Sequence, residues 1–382
     1  MRLAFAIVSL FPGGGLQRDC LGIAQLLRTR GHEVKVFTAR IATTYETATG
    51  DAAGDLDVEV LKCEAWTNHG RNLWFAAAVA ERTRGRFDRL VGFDKLTGLD
   101  VLYCADPSVR FRIQSNPFLG LMPRYRALAK LEQDSFAVPA ATRLLLLNQR
   151  QANEYRQAWN TPAERLSLVP PTISLARRQP ALRYNGTRER VRGNFAFDDS
   201  TQVWLSICMQ PHNKGLDRVV DALATFPQAR LLVVGVGAED KRAAACLRRA
   251  QKLGVAERIE WFGYHADLGE LMAGSDCLVH PARVETTGAV ILEAIINGLP
   301  VVTTAACGYA EHVEAAQAGI VVAEPFRQDE FLSALTQAQD DLALRRWSAA
   351  GVAYGAQDHL YSGWSRAADI IIDDPLVDQK LR

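Results

Sequence analysis

The sequence predicts an α/β protein made of two Rossmann-like, doubly wound parallel-sheet domains that face each other across a cleft, and three observations support this. Short β-branched runs alternate with longer helical patterns along nearly the whole chain, as parallel strands joined by crossover helices do. A polar stretch without clear period, carrying turn and charge residues, divides that alternation into two halves. The chain has 382 residues, 48% of them hydrophobic and 23% charged, which is enough to bury two cores of ordinary size.

Strand candidates in the first half are residues 2–8, 33–38, 58–62, 89–93, 101–104, 143–147 and 166–169; in the second half they are 202–207, 230–234, 258–262, 276–280, 300–303 and 319–322. Val169-Pro170-Pro171-Thr172 and the stretch from Arg177 to Ser200 mark the crossing, giving an N-terminal domain over 1–170 and a C-terminal domain over 171–355. The tail, 356–382, either extends the second domain or packs back on the first. Ligands of open α/β sheets sit at the carboxyl ends of strands, so the loops that follow strands are where chemistry is expected.

A formal charge of only +1 gives bulk electrostatics no case for nucleic acid, so any phosphate or membrane affinity must come from local patches. The seven cysteines (Cys20, Cys63, Cys104, Cys208, Cys246, Cys277 and Cys307) are scattered and form no C-x-x-C pair, which suits a reducing cytoplasm and small buried hydrophobes. The apolar run from Leu3 to Val8 breaks at Pro12-Gly13-Gly14-Gly15 without a small-residue cleavage site, so it reads as a buried strand and not as a signal peptide. No stretch reaches the roughly 20 apolar residues that a membrane span needs.

The strongest local signal runs from His280 to Gly298, H-P-A-R-V-E-T-T-G-A-V-I-L-E-A-I-I-N-G. A buried strand ends at His280, a loop carries Glu285, and Thr286-Thr287-Gly288 opens a helix. Glycine at 288 admits an anion close to the backbone, and the free amides of Gly288, Ala289 and Val290 point at it along the helix dipole, an arrangement suited to a diphosphate. Glu285 is placed to bond sugar hydroxyls and Glu293 a ribose diol. The plainer reading makes Glu285 a cap and Glu293 a solvated helix residue, but the apolar neighbours Leu292, Ala294, Ile295 and Ile296 suggest that Glu293 faces something polar. The second signal, Met209-Gln210-Pro211-His212-Asn213-Lys214-Gly215, lies at a strand-to-helix turn, where Lys214 can meet a phosphate as a point charge. Alone it is weak, because surface lysines are common at helix starts.

In the first half, Phe11-Pro12-Gly13-Gly14-Gly15-Leu16-Gln17-Arg18-Asp19 follows the opening strand. Arg18 breaks the G-x-G-x-x-G fingerprint and demotes a dehydrogenase. Gly14 and Gly15 still allow close approach of a substrate, and Arg18 and Asp19 either border the cleft or are ordinary first-turn charges. Thr67-Asn68-His69-Gly70-Arg71-Asn72 and Val91-Gly92-Phe93-Asp94-Lys95 bring His69, Arg71 and Lys95 to the same edge, where they suit an anionic or polyhydroxylated acceptor; His69 serves equally well as a structural histidine. Asp55-Leu56-Asp57 resembles a metal-binding D-x-D, but carboxylates just before a strand are most often solvated, so no metal site is expected there. From Arg110 to Lys130 the chain carries Arg110, Arg112, Arg124, Arg126 and Lys130 with no acid, interleaved with Phe111, Ile113, Phe118, Leu119, Leu121, Met122 and Tyr125. That mixture favours an anionic membrane surface, and Pro117, Gly120 and Pro123 forbid one long helix. A folded-in loop or a partner-docking segment is the competing reading.

These segments together resemble the GT-B retaining glycosyltransferases, and within them the bacterial lipopolysaccharide core glucosyltransferases that add the first glucose to inner-core heptose. The resemblance rests on F-P-G-G-G-L-Q-R-D, T-N-H-G-R-N, V-G-F-D-K-L-T-G-L-D-V, K-G-L-D-R, L-V-H-P-A, the pair Glu285/Glu293, G-L-P-V-V-T-T-A-A-C-G-Y-A and the tail D-H-L-Y-S, in order along nearly the whole chain. It implies a UDP-sugar as donor substrate without further cofactor or metal, and retention of anomeric configuration by front-face attack. It also implies catalytic roles for Asp19, Lys214 and Glu285, with Asp19 beside the reacting sugar, Lys214 on the diphosphate, Glu285 on the donor sugar and Glu293 on the ribose. Gly14, Gly15, Thr287, Gly288, Ala289 and Val290 complete the donor set; Arg18, His69, Arg71 and Lys95 are expected to hold a lipopolysaccharide inner-core acceptor. The place of work would be the cytoplasmic face of the inner membrane, reached through Arg110–Lys130.

The chain departs from that family at Asn213, where an arginine usually precedes the phosphate lysine, at Ser9-Leu10, which replace a basic-aromatic pair, and at Asp94, which replaces an amide. Thr286-Thr287 replace small apolar residues of some relatives, which opens the donor reading to an amino or acetamido sugar. Two rivals stand beside the transferase: a nucleotide-sugar epimerase of the same fold, and a non-catalytic sugar-nucleotide-binding protein.

Overall fold

Two parallel sheets organise the chain, described in a computed structural model for residues 1–11, 14–41, 56–63, 65–265 and 267–373. One unit comprises Met1–Thr172 together with the segment from Tyr361 onward; the other comprises Ile173–Leu360.

In the first unit the strands are β1 (Arg2–Leu10), β2 (Glu33–Ile41), β3 (Asp57–Val60), β4 (Arg89–Gly92), β5 (Val101–Cys104), β6 (Arg143–Leu146) and β7 (Leu166–Leu168). They lie in the order β3-β2-β1-β4-β5-β6-β7, every pairing parallel. The unbroken apolar run Leu3–Ile7 belongs to a strand covered on both faces, and all five residues are fully buried. Helix Gly15–Thr29 follows β1 and turns Cys20, Ile23, Ala24 and Leu27 onto the sheet at the i, i+3, i+4, i+7 spacing of one helix face. Against this helix packs the terminal helix Gly363–Asp373. Trp364 lies so close over Gly22 that an added Cβ would come within 2.6 Å of the indole, which explains a glycine in mid-helix.

In the second unit β8 (Gln202–Ile207), β9 (Ala229–Val234), β10 (Ile259–Trp261), β11 (Cys277–His280), β12 (Val301–Thr304) and β13 (Gly319–Val322) are arranged β10-β9-β8-β11-β12-β13, again all parallel. Helix Leu216–Leu223 buries Leu216, Val219, Val220 and Leu223, and helix Ala289–Ile296 is buried from Ile291 onward. Each predicted strand segment contains a strand, and each sheet is doubly wound as predicted. The strand order jumps between β1 and β4 in the first sheet and between β8 and β11 in the second, and such switch points open the crevice in which α/β sheets bind ligands. No helix among the described residues is long and apolar enough to cross a membrane.

Candidate active site

The second sheet brings its two sequence signals together at its switch point. Strands β8 and β11 pair directly, Trp204 with Cys277 and Leu205 with Leu278, so the loops leaving their carboxyl ends are neighbours. Gly215, with φ of 72°, lies where a Cβ would approach the Pro281 carbonyl oxygen to 2.0 Å, so only glycine lets the two loops touch. The Arg283 amide donates to the Asn213 carbonyl at 2.7 Å, and its guanidinium forks onto Asp217 with two bonds of 2.7 Å. So fixed, Lys214 Nζ donates to Glu285 Oε2 in a short ion pair, the two side chains 23% and 13% exposed. Burial pulls the Lys214 ammonium below the usual lysine range.

Three residues beyond Glu285, Gly288 takes φ of 84° and starts helix Ala289–Ile296, its α-carbon facing Glu285 Cγ and Ile291 Cδ1. The turn is held from outside: Thr287 O accepts from the Tyr309 amide at 2.7 Å and Glu285 O from the Gly308 amide at 3.1 Å. By helix geometry the first amides, Ala289 and Val290 among them, have no acceptor within the helix, and both residues are partly exposed. The helix start thus presents N–H groups beside a lysine, as an anion requires. Glu293 is buried and not solvated; its Oε2 accepts from Arg177 Nη1 at 3.2 Å. Asn297 holds Arg177 there by donating to its carbonyl at 2.9 Å while accepting from the Gln179 amide at 2.6 Å. Glu293, Arg177, Gln179, Met272 and Asn297 line a cavity of about 220 Å³.

Sequence reasoning missed Arg177 and His280 as neighbours of the site. The first stood in the aperiodic crossing segment; the second was seen only as the end of a strand. His280 is 1% exposed, with Nε2 3.5 Å from Glu285 Oε2. Burial, aided by the Lys214 charge, lowers its pKa to about 3, so the imidazole is neutral.

The first unit treats its predicted residues differently. Gly15 opens its helix with nothing within 4 Å of where a Cβ would stand, and Gly14 lies against Gln17; Gly13 is outside the described residues. Asp19, expected beside the reacting sugar, is instead 5% exposed and anchors the terminal helix: Trp364 Nε1 donates to Oδ1 at 3.0 Å and Tyr103 Oη to Oδ2 at 2.9 Å. Arg18 lies 3.4 Å from the same carboxylate. His69 and Arg71 sit partly exposed in the first turn of helix Asn68–Thr83, His69 Nε2 3.4 Å from Thr67 Oγ1 and Arg71 donating to Asn68 Oδ1 at 3.1 Å.

Lys95, expected among the acceptor contacts, is 6% exposed and bonds inward to Glu132 at 2.7 Å and to the Pro107 carbonyl at 2.9 Å. The Glu132 carboxylate also accepts from Ser108 Oγ, the Val109 and Arg110 amides and Trp159 Nε1, which fastens helix Val109–Ser115 to helix Pro123–Phe136. Lys95 is therefore part of the scaffold. Of the D-x-D sequence, Asp55 lies outside the described residues, and Asp57 pairs with Lys35 at 3.3 Å.

Between those two helices, Pro117–Leu121 forms one 3-10 turn. Arg110, Arg112, Arg124, Arg126 and Lys130 are all exposed, and Phe118 and Leu121 stand 79% and 75% exposed among them.

Comparison with known proteins places the chain among the glycosyltransferases. Residues 187–351 match the family model "Glycosyl transferases group 1". The chain is 36% identical over 378 residues to the lipopolysaccharide glucosyltransferase WaaG of Escherichia coli K12, covering 97% of this chain and 98% of that protein. The crystal structure of WaaG, a glycosyltransferase involved in lipopolysaccharide biosynthesis, superposes with a TM-score of 0.88 at 34% identity, covering 97% of this chain and all of that one. Anabaena Alr3699/HepE, solved in complex with UDP-glucose, shares the fold at a TM-score of 0.74 and 19% identity, covering 96% of this chain and 98% of that one.

Proposed function

The chain belongs to the group 1 glycosyltransferases, of the lipopolysaccharide glucosyltransferase WaaG type, and we propose that it moves glucose from UDP-glucose to a heptose of the lipopolysaccharide inner core. The observation that carries this reading is the pairing of Lys214 with Glu285 beside the helix start at Gly288. A diphosphate arriving there meets helix amides and attracts the ammonium away from its carboxylate. Glu285 is then free to accept hydrogen bonds from the hydroxyls of the donor sugar, while Glu293, at the cavity lined by Arg177, faces the ribose.

The acceptor hydroxyl attacks the anomeric carbon from the face that the phosphate leaves, so configuration is retained. The bond from that carbon to the phosphate oxygen breaks, and the hydroxyl proton passes to the departing oxygen. Negative charge grows on UDP, where Lys214 and the amides of Ala289 and Val290 stabilise it more in the transition state than in the ground state. In this reading no metal takes part. The first unit receives the acceptor through Arg18, His69 and Arg71, and its exposed cations from Arg110 to Lys130 rest on an anionic membrane with Phe118 and Leu121 inserted at the interface.

Purified protein given UDP-glucose and a heptose-terminated acceptor, without added metal, is expected to release UDP only when both are present. Release from none of the common UDP-sugars would sink the proposal. A new sugar nucleotide formed without acceptor would make the protein an epimerase.

A further inference from the structure

We propose that His280 is a positioning residue that takes over the Glu285 carboxylate when Lys214 leaves it for the donor diphosphate; the proposal rests on the donor-site reading above. In the structure the ammonium and the carboxylate satisfy each other. Donor binding ends that arrangement and leaves a mostly buried carboxylate next to a diphosphate, a juxtaposition of like charges that needs a new hydrogen-bond donor.

His280 is the donor at hand. Both of its ring nitrogens are buried, and neither has a hydrogen-bond partner among the described residues. Buried polar side-chain atoms are seldom left so, and here the group they face is the carboxylate of an exchangeable ion pair. The Nε2 to Oε2 separation of 3.5 Å is just too long for a good bond, and a shift of roughly 0.5 Å makes one. The backbone beneath is rigid: His280 ends β11 in register with Thr303, whose Oγ1 donates to the His280 carbonyl at 2.9 Å. The charged groups that meet the imidazole are Lys214 and Glu285. A neutral ring donates one N–H to the carboxylate without repelling the lysine or drawing it back from the phosphate. An imidazolium would do both. The side chain thus fixes Glu285 in the donor complex and leaves the diphosphate to Lys214.

The test compares His280→Leu, which keeps bulk and removes the donor, with His280→Gln, which restores an N–H at nearly the reach of Nε2. Calorimetry with UDP and with UDP-glucose, turnover with the heptose-terminated acceptor, and the unfolding midpoint are measured for both and for the wild type. His280→Leu is expected to bind UDP as the wild type does, to lose the added affinity that the glucose confers, and to fall in kcat by about 10- to 100-fold, the range for a hydrogen bond to a charged group. His280→Gln is expected to recover most of that loss. Wild-type turnover in His280→Leu would overturn the proposal. Equal losses in both variants, of UDP affinity as well as turnover and with a lowered unfolding midpoint, would reduce His280 to packing. A wild type that binds no UDP would show instead that the donor site itself was misread.

Discussion

The switch point between β8 and β11 and its counterpart between β1 and β4 carry similar side chains and use them in opposite ways. At the first, Lys214 and Glu285 are partly exposed and bonded mainly to each other, so a ligand can exchange their partners. At the second, Asp94 accepts from the Val8 amide at 2.6 Å, Lys95 is locked on Glu132, and Asp19 ties a helix of the first sheet to the C-terminal helix. A charge at a strand end becomes reactive where its partner can be displaced and architectural where its partner is itself held by several bonds. Glu132, with five protein donors, is the clearest case of the second kind.

The largest effect separating the two regions should be in stability. Lys95→Met leaves the Glu132 carboxylate buried without its cation, and breaking such a pair typically destabilises by about 3–5 kcal/mol. Urea unfolding should show a loss of this order, and a smaller one for Lys214→Met, whose partner Glu285 is 13% exposed where Glu132 is fully buried. A small loss for Lys95→Met would return that lysine to the acceptor-contact role that its sequence position suggested.

A smaller contrast concerns pH. Burial raises the Asp94 carboxyl to about 7, so the folded state holds a proton that the unfolded chain releases near pH 4; stability from this group is present below pH 4 and is lost as pH rises to 7. His280 has the opposite sign. Its folded pKa of about 3 lies below the unfolded 6.5, so its contribution is present above pH 6.5 and is lost as pH falls towards 3. Asp94→Asn should therefore gain stability relative to the wild type between pH 4 and 7 as the pH is raised, and His280→Gln as it is lowered below 6.5. Thermal unfolding across pH 4–8 measures both differences, and a flat difference for either variant would show that the group titrates normally.

The smallest effect is expected at the surface. The double substitution Arg124→Ala/Arg126→Ala should weaken sedimentation with anionic vesicles by about 1 kcal/mol per arginine and leave binding to neutral vesicles unchanged. Equal binding to both kinds of vesicle by the wild type would remove the electrostatic part of the membrane proposal.

The fold was legible because strands buried on both faces write continuous apolar runs such as Leu3–Ile7, and the helices between them repeat apolar residues at helical spacing. The turns at Gly215 and Gly288 were legible for a related reason: glycines at positive φ and a lysine at a strand-to-helix turn are local features that sequence displays directly. Arg177 was not, because its significance lies in a contact across 116 residues, which no local pattern encodes; His280 stands only five residues before Glu285, but the sequence does not show that the strand end turns its ring towards that carboxylate. The inward contacts of Asp19 and Lys95 were hidden for a similar reason. Their position after a strand was read correctly, but the partners that turn them inward, Trp364 and Glu132, are distant in sequence.

The most direct test of the donor site is a calorimetric titration of UDP into the wild type and into Lys214→Ala at the same pH and salt. The account predicts one UDP site in the wild type and at least a tenfold weaker one in the variant, the loss of a charge-assisted contact to phosphate. Equal affinity in both proteins would contradict it, because the diphosphate would then rest somewhere other than beside Lys214 and the helix that begins at Gly288.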